Sequence, residues 1–291
     1  MTSSEVVGAL DIGGTHVSGG RVHVDSASLE AGSRVFERLP GAAGHDELVA
    51  AITRVTRAIA HPDLTSLGVS VPGPFDYARG VSEITHKLEA LHGVDLRSQL
   101  QDASALEAIH FVNDAEAFLL GEWWVGAARG HGRAIGITLG TGLGSAFSEN
   151  GEMVRSRASV PPRGELYAVE FRGAPVERTI SRAALLRAYG ASDDGVDVEQ
   201  IADRARAGEP AARRVFTELG TALGEFLTPW LRAFGPSCLV VGGSISRSWD
   251  LFADTLRAEL QSLPELDLVT AAAQREDAAL LGAAYYAAKR Q

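Results

Sequence analysis

The sequence contains one cysteine, Cys238, which excludes an internal disulfide and any multi-cysteine zinc site. It has no apolar run of the length that spans a membrane. Its first residues, Met-Thr-Ser-Ser-Glu, lack the basic region and apolar stretch of a secretory signal, so a cytoplasmic location is expected. Positive charge is not in excess: the formal net charge is −10, the opposite of a nucleic-acid-binding surface. The acids are scattered rather than gathered into blocks, so no charged interaction tail is evident. Tandem repeats of the solenoid type are missing as well. What is present is a chain of 291 residues, 45% hydrophobic, enough for two domains with real cores.

The most informative stretch is Val6-Val7-Gly8-Ala9-Leu10-Asp11-Ile12-Gly13-Gly14-Thr15. An apolar strand ends at an acid, two glycines and a hydroxyl follow, and a second apolar run, Val17 to Val24, returns. Glycine takes positive φ and lets another molecule approach the backbone. Backbone N–H groups and the Thr15 hydroxyl can hold phosphate oxygens there. Asp11 can place a magnesium ion beside them, directly or through water. An ordinary Gly-Gly hairpin with no ligand is the alternative reading. A second strand–turn–strand follows at Ile135 to Ala146, with Gly140-Thr141-Gly142 at its turn. A third strand, Cys238 to Val241, ends in Gly242-Gly243.

Between these landmarks the pattern is α/β. Leu48, Ala51, Ile52, Val55 and Ile59 mark one face of a helix over Asp46–Ala60, stopped by Pro62. A strand Leu67–Val71 follows, closed by the turn Pro72-Gly73-Pro74. Ser82 to Leu91 reads as a loop containing Thr85-His86-Lys87, in which His86 and Lys87 either reach a substrate or are simply solvated. Asp95 caps a short helix through about Leu100. A strand over Glu107–Val112 ends at Asn113-Asp114, and Ala115–Ala128 reads as a helix. A carboxylate at that helix start is electrostatically favourable, so Asp114 is read as its cap, alone or together with a chemical role. Trp123 and Trp124 read as core or interface. Glu149-Asn150-Gly151-Glu152 is a hairpin turn. Helices are expected at Ser181–Tyr189, Val198–Ala207, from Pro210 towards Phe234 with a kink or break at Pro229, at Ser248–Leu260 and at Asp277–Arg290. A strand is expected at Leu266–Thr270.

These motifs, in this order and over nearly the whole chain, resemble the sugar-kinase branch of the actin-like ATPase superfamily. Within it they are similar to the ROK family (repressors, open reading frames, kinases). The resemblance implies an α/β fold of two actin-like ATPase (ribonuclease H-like) domains with an interdomain active-site cleft. Residues 1–113 with 278–291 would form a small N-terminal domain, and 114–277 a large C-terminal one. It implies that Asp11, Gly13, Gly14, Thr15, Thr138, Gly140, Thr141 and Gly142 bind the nucleotide phosphates of ATP with Mg2+, and that Gly242 and Gly243 border the adenosine. Asp114 would be the general base, taking the proton of the attacking hydroxyl as the γ-phosphate is transferred. Gly73, Asn113, Asp114, Glu165 and Glu177 would contact the sugar. A homodimer is the family expectation.

The chain departs from the family in the stretch Ser156–Glu177. Family members show Gly-Glu-x-Gly-His there, then a zinc motif of one His and three Cys, then a Glu. Here Gly164-Glu165-Leu166-Tyr167 has no histidine after Glu165, and the cysteines are absent, so no zinc site is expected. Glu165 matches the first sugar-binding Glu, and Glu177 takes the place of the second; either acid can also be read as a solvated surface charge. His16 stands where many relatives have Lys. The departures leave two acceptor classes open, a hexose or another polyol such as a C7 cyclitol, and polyphosphate as a donor besides ATP. A catalytically silent sugar-binding protein is a further alternative. A ROK-type transcriptional regulator is disfavoured, because only ten residues precede Asp11.

Overall fold

Strand β1 (Val6–Ile12) is buried along nearly its whole length, and its two faces serve two different cores. In the computed structural model, which describes residues 5–39, 43–85, 88–191 and 195–290, the alternation of side chains sends Leu10 and Ile12 to one side and Val7 and Ala9 to the other. On the first side they meet Leu48, Ile52, Val55 and Ile59 of α1 (His45–Ile59). On the second they meet Leu280, Leu281, Ala284 and Ala287 of the C-terminal helix Ala278–Ala288. The apolar face expected for Asp46–Ala60 is therefore the buried one.

The sheet around β1 is mixed. β2 (His16–His23) returns antiparallel to β1, with Asp11 opposite Ser18, and carries β3 (Ser28–Leu29) and β4 (Val35–Arg38). β5 (Leu64–Val71) lies parallel on the other side of β1. A small ribbon of β6 (Phe75–Asp76) and β7 (Val81–Ser82) and the helix α2 (Leu96–Ser104) follow. Asp95 caps α2, its carboxylate accepting the Ser98 N–H at 3.1 Å. β8 (Ile109–Asn113) then pairs parallel to β5, giving the order β3-β2-β1-β5-β8. The side chains of His86 and Lys87 lie outside the described residues.

α3 (Asp114–Val125) packs on the C-terminal helix through small residues. A Cβ on Gly282 would overlap the Ala117 carbonyl, and one on Gly121 would overlap that of Ala278. The same helix lies on β5, where a Cβ on Gly68 would overlap the Ala283 carbonyl. Trp123 and Trp124 pack against Tyr285 of the C-terminal helix, with ring centroids 5.9 and 5.3 Å apart. These contacts place α3 in the first of two compact units, Met1–Gly126 with Glu276–Gln291. The second unit is Ala127–Arg275. α3 belongs to the first unit because it buries its close-packed face on a helix of that unit.

The second unit repeats the first in topology. β9 (Arg133–Leu139) and β10 (Leu143–Glu149) form an antiparallel hairpin, and β11 (Glu152–Met153) adds to β10 through the Asn150-Gly151 turn. A two-stranded ribbon follows, β12 (Glu170–Phe171) and β13 (Ala174–Pro175), then α4 (Arg182–Tyr189), α5 (Val198–Arg206) and α6 (Pro210–Phe234). β14 (Cys238–Gly242) pairs parallel to β9, α7 (Trp249–Leu260) crosses back, and β15 (Leu268–Ala271) pairs parallel to β14. The order is β11-β10-β9-β14-β15, which matches the β3-β2-β1-β5-β8 path of the first sheet; the first sheet carries β4 on β2 in addition. Two such sheets, each a hairpin extended by parallel strands, are the duplicated ribonuclease H-like fold of actin-like ATPases.

Of the kink or break expected at Pro229, the break is absent. Helix α6 runs unbroken past Pro229. Pro229 is on the exposed side, where the Glu225 carbonyl left without a helical donor can meet water.

Candidate functional site

Within the first unit the candidate residues collect at one edge of the sheet, the carboxyl ends of the parallel strands β1, β5 and β8. Open α/β sheets bind ligands at that edge. Asp11 lies opposite Ser70 of β5 and accepts its hydroxyl at 2.7 Å. Burial pushes the Asp11 carboxyl above its ordinary value. The Ser70 hydrogen bond and the nearby His16 and Arg34 side chains oppose that rise. One Asp11 oxygen is engaged by Ser70, and the other is left for a cation. Among the described residues no three His, Cys, Asp or Glu side chains are grouped around a metal position. A magnesium ion that keeps most of its waters and is shared with phosphates needs only one such carboxylate, and Asp11 fits that kind of site.

The Gly13-Gly14-Thr15 turn follows directly. It is closed by the Gly13 N–H donating to the His16 carbonyl at 2.8 Å. The Gly14 and Thr15 N–H groups lie outside the hairpin ladder. The Thr15 carbonyl is fixed by the Leu39 N–H at 2.8 Å. His16 does not extend into solvent: its ring stacks on Phe36, with centroids 5.3 Å apart, and its Nδ1 lies 3.3 Å from the Thr15 hydroxyl.

Asn113 and Asp114 end β8. The structure gives the helix cap to Asn113, which corrects the reading of Asp114 as the cap. Asn113 has extended backbone angles, and its Oδ1 accepts the N–H groups of Ala115 at 3.0 Å and Glu116 at 3.4 Å. Asp114 is already helical, is exposed, and accepts the Ala115 N–H at 2.9 Å. Asn113 also donates through Nδ2 to the Tyr77 hydroxyl at 3.1 Å, and that hydroxyl donates to the Val71 carbonyl at 3.4 Å. Tyr77 lies beside Gly73 as well. Gly73, Tyr77 and Asn113 are therefore one cluster.

The second unit gathers its own set. Thr138 and Leu139 end β9 next to Gly242 and Gly243, with Thr138 paired to Gly242. Gly243 has φ +84°, and a Cβ there would run into the Leu139 backbone, so the residue after β14 is confined to glycine. In the intervening turn the Gly140 N–H donates to the Gly142 carbonyl at 3.0 Å, and the Arg182 N–H donates to the Gly140 carbonyl at 2.9 Å. Thr141 is exposed at the tip. Glu177 reaches this turn: its Oε1 accepts the Leu143 N–H at 2.9 Å. Glu165 lies on a separate loop, half-buried, with its Oε2 held by Arg163. Ser145 of β10 pins that loop, donating to the Gly164 carbonyl at 2.7 Å and accepting the Leu166 N–H at 2.8 Å.

Four participants escape the sequence reading: Ser70, Tyr77, Ser145 and Arg163. Ser70 and Ser145 are buried hydroxyls among apolar residues of a strand, but Ser66 and Ser148 share that pattern in the same two strands, so it did not single them out. Tyr77 and Arg163 had no signal.

The sequence pattern of the ROK family matches residues 7–290. The glucokinase of Thermotoga maritima is 27% identical over 315 aligned residues, which cover 98% of this chain and 97% of that protein. A beta-glucoside kinase of Klebsiella pneumoniae is 26% identical over 290 residues, covering 96% and 95%. The crystal structure of a ROK family glucokinase from Streptomyces griseus, in complex with glucose and AMPPNP, superposes with a TM-score of 0.80. It is 24% identical and covers 98% of this chain and 99% of that one, so the fold is shared along the whole chain.

Proposed function

The chain belongs to the ROK family, and on that premise we propose that it is an ATP-dependent carbohydrate kinase. It transfers the γ-phosphate of ATP to a hydroxyl of a hexose or related polyol. The observation that carries the reading is the end of β8. Asp114 stands exposed on the first turn of α3, while its neighbour Asn113 does the capping.

Phosphoryl transfer needs the phosphates held, their charge offset and the nucleophile aligned. The turns Gly13-Gly14-Thr15 and Gly140-Thr141-Gly142, with Thr138, hold the phosphates. Gly242 and Gly243 border the adenosine. Asp11 would hold, directly or through water, the magnesium ion whose charge would offset that of the phosphates. Asp114 accepts the proton of the attacking sugar hydroxyl; such general-base help is typically worth ~10²–10⁴-fold. Gly73, Asn113, Glu165 and Glu177 bind the remaining hydroxyls. Asn113 does so with the one amide N–H that Tyr77 does not take. Glu177 does so with the oxygen that Leu143 does not take.

A second reading concerns the acceptor. The missing histidine after Glu165, together with the Arg163 pair, favours a polyol other than a simple hexose, such as a C7 cyclitol. A homodimer and a cytoplasmic location belong to the same proposal. The test is coupled ADP release with magnesium-ATP against glucose, other hexoses, N-acetylated amino sugars, β-glucosides and C7 cyclitols. Turnover on at least one is expected. Polyol binding without any ADP release would replace the kinase reading with that of a silent sugar binder.

A further inference from the structure

Val71 and Asn113 stand opposite each other at the carboxyl ends of β5 and β8, the last pair of that parallel register. Tyr77 bridges them beyond it. Its hydroxyl donates to the Val71 carbonyl at 3.4 Å and accepts the Asn113 Nδ2–H at 3.1 Å. A phenol has one hydrogen, and Val71 takes it, so the oxygen meets the amide as an acceptor. The Asn113 amide is thereby held at two points. Its Oδ1 accepts the Ala115 and Glu116 N–H groups, and its Nδ2 is tied to Tyr77. The cap alone leaves the amide free to pivot about Oδ1, and the second bond fixes its plane. Gly73 lies against the same bond: a Cβ there would stand 3.4 Å from the Tyr77 Oη and 4.0 Å from the Asn113 Nδ2.

The turn that delivers Tyr77 is itself fastened. Its flanking strands β6 and β7 have two residues each, too few to hold it by ladder bonds. Within the turn, Asp76 accepts the Arg79 N–H on Oδ1 at 3.0 Å and the Gly80 N–H on its carbonyl at 2.7 Å. Arg97 of α2 donates to the carbonyls of Ala78 at 3.1 Å, Arg79 at 3.1 Å and Ile109 at 2.7 Å, and its guanidinium covers the Phe111 ring. The Tyr77 ring packs on Phe75 and Phe75 on Phe111, with centroids 5.2 and 5.1 Å apart. Ile109 and Phe111 belong to β8. The turn that carries Tyr77 is thus locked to the strand that carries Asn113.

We propose that Tyr77 is a positioning residue of the acceptor site, one that acts through Asn113 by fixing its amide before the substrate arrives. The inference rests on the reading of Asn113 as a sugar contact. The phenol need not touch the sugar. It acts because a side chain ordered in advance does not draw on binding energy to become ordered. A contact residue is also only as precise as the hydrogen bonds and packing behind it. Removing the Tyr77 hydroxyl therefore weakens acceptor binding through Asn113, with the cap of α3 still in place.

The test compares the full-length protein with Tyr77→Phe, Asn113→Ser and the double variant. Phenylalanine keeps the ring on Phe75 and removes only the hydroxyl. Serine keeps a side-chain cap for α3 but has no amide to hold. The readouts are kcat and KM for the best acceptor of the panel, KM for ATP and the thermal midpoint. For Tyr77→Phe the expected result is a rise of about fivefold in acceptor KM, on the order of one hydrogen bond. Its kcat and ATP KM stay within about twofold. Its midpoint falls by no more than about 2–4 °C. Asn113→Ser raises acceptor KM by about tenfold. In the double variant acceptor KM stays within about twofold of that of Asn113→Ser alone, the non-additivity of a coupled pair. An equal rise from Tyr77→Phe in both backgrounds would overturn the inference, since Tyr77 would then act without Asn113. An unchanged acceptor KM in Tyr77→Phe would overturn it while leaving the kinase reading intact. A parallel rise of both KM values with a large loss of midpoint would also overturn it, as a purely structural role. An unchanged acceptor KM in Asn113→Ser would remove the sugar contact and the inference with it. Absence of turnover by the unsubstituted protein on every acceptor would remove the kinase reading as well.

Discussion

Glu177 accepts the backbone N–H of Leu143 at 2.9 Å, which ties an acid expected to touch the sugar to the turn expected to touch the phosphates. Glu177→Ala should therefore raise KM for ATP as well as for the acceptor, each by about tenfold, because a charged hydrogen bond at the turn is lost. Glu177→Gln keeps an acceptor oxygen and should hold ATP KM within about twofold of the original. Steady-state kinetics with each substrate varied in turn decide the point. A rise confined to the acceptor would show that the turn stands without its anchor.

Asn113, and not Asp114, caps α3. Asp114→Asn should bind acceptor and ATP nearly as before, keep its thermal midpoint, and lose ~10²–10⁴-fold in kcat. Calorimetric titration beside a turnover assay measures both halves. Turnover close to the original would assign the base elsewhere.

Asp11 trades stability for chemistry. Burial raises its folded pKa above the unfolded value of about 3.9. The stability tied to such a carboxyl is complete below the unfolded value and is lost as pH rises through the folded one. Near neutral pH, Asp11→Asn should raise the midpoint of the nucleotide-free protein by about 2–4 °C, an amount that corresponds to about 1 kcal/mol. The gain should shrink as pH falls toward the unfolded value. The same variant should lose the magnesium-dependent part of stabilisation by ATP. Thermal melts across pH, with and without magnesium, read both effects; a lowered midpoint at neutral pH would contradict the burial argument.

Gly282→Ala tests the packing of α3 on the C-terminal helix. A single methyl there overlaps the Ala117 carbonyl, and backbone atoms cannot turn aside as a side chain can. The expected cost is about 1–3 kcal/mol, seen as a lower denaturant midpoint. Gly132→Ala, where a Cβ meets only the Asn150 Oδ1 at 3.5 Å, an ordinary contact, is the control and should change little.

What the sequence disclosed follows from how local the physics is. The amphipathic face of α1, the Asp95 cap and the Asn150-Gly151 turn are settled by residues within a few positions of one another, and each is found where it was expected. The two glycine hairpins are legible for the same reason. The choice between Asn113 and Asp114 as cap was not, because both side chains accept hydrogen bonds and only the backbone angles separate them. Partners brought from far along the chain were invisible. Ser70 is 59 residues from Asp11, Tyr77 is 36 from Asn113, and Ser145 is 21 from Leu166. At Pro229 a local rule about proline did not end a long helix whose proline lies on the wet side.

The C-terminal helix also sets an order of events during synthesis. The sheet of the first unit needs Leu280, Leu281 and Ala284 to cover Val7 and Ala9, and α3 needs Gly282 as its seat. Those residues leave the ribosome only after all of Ala127–Arg275 has been made. At ~5–20 residues per second, that wait is roughly 7 to 30 s. Through it the first-made half keeps an uncovered apolar sheet face, while the second-made half can complete its core at once. The nascent chain is thus most in need of a chaperone along the first-made part of its first unit, and the helix Ala278–Ala288 is what releases it.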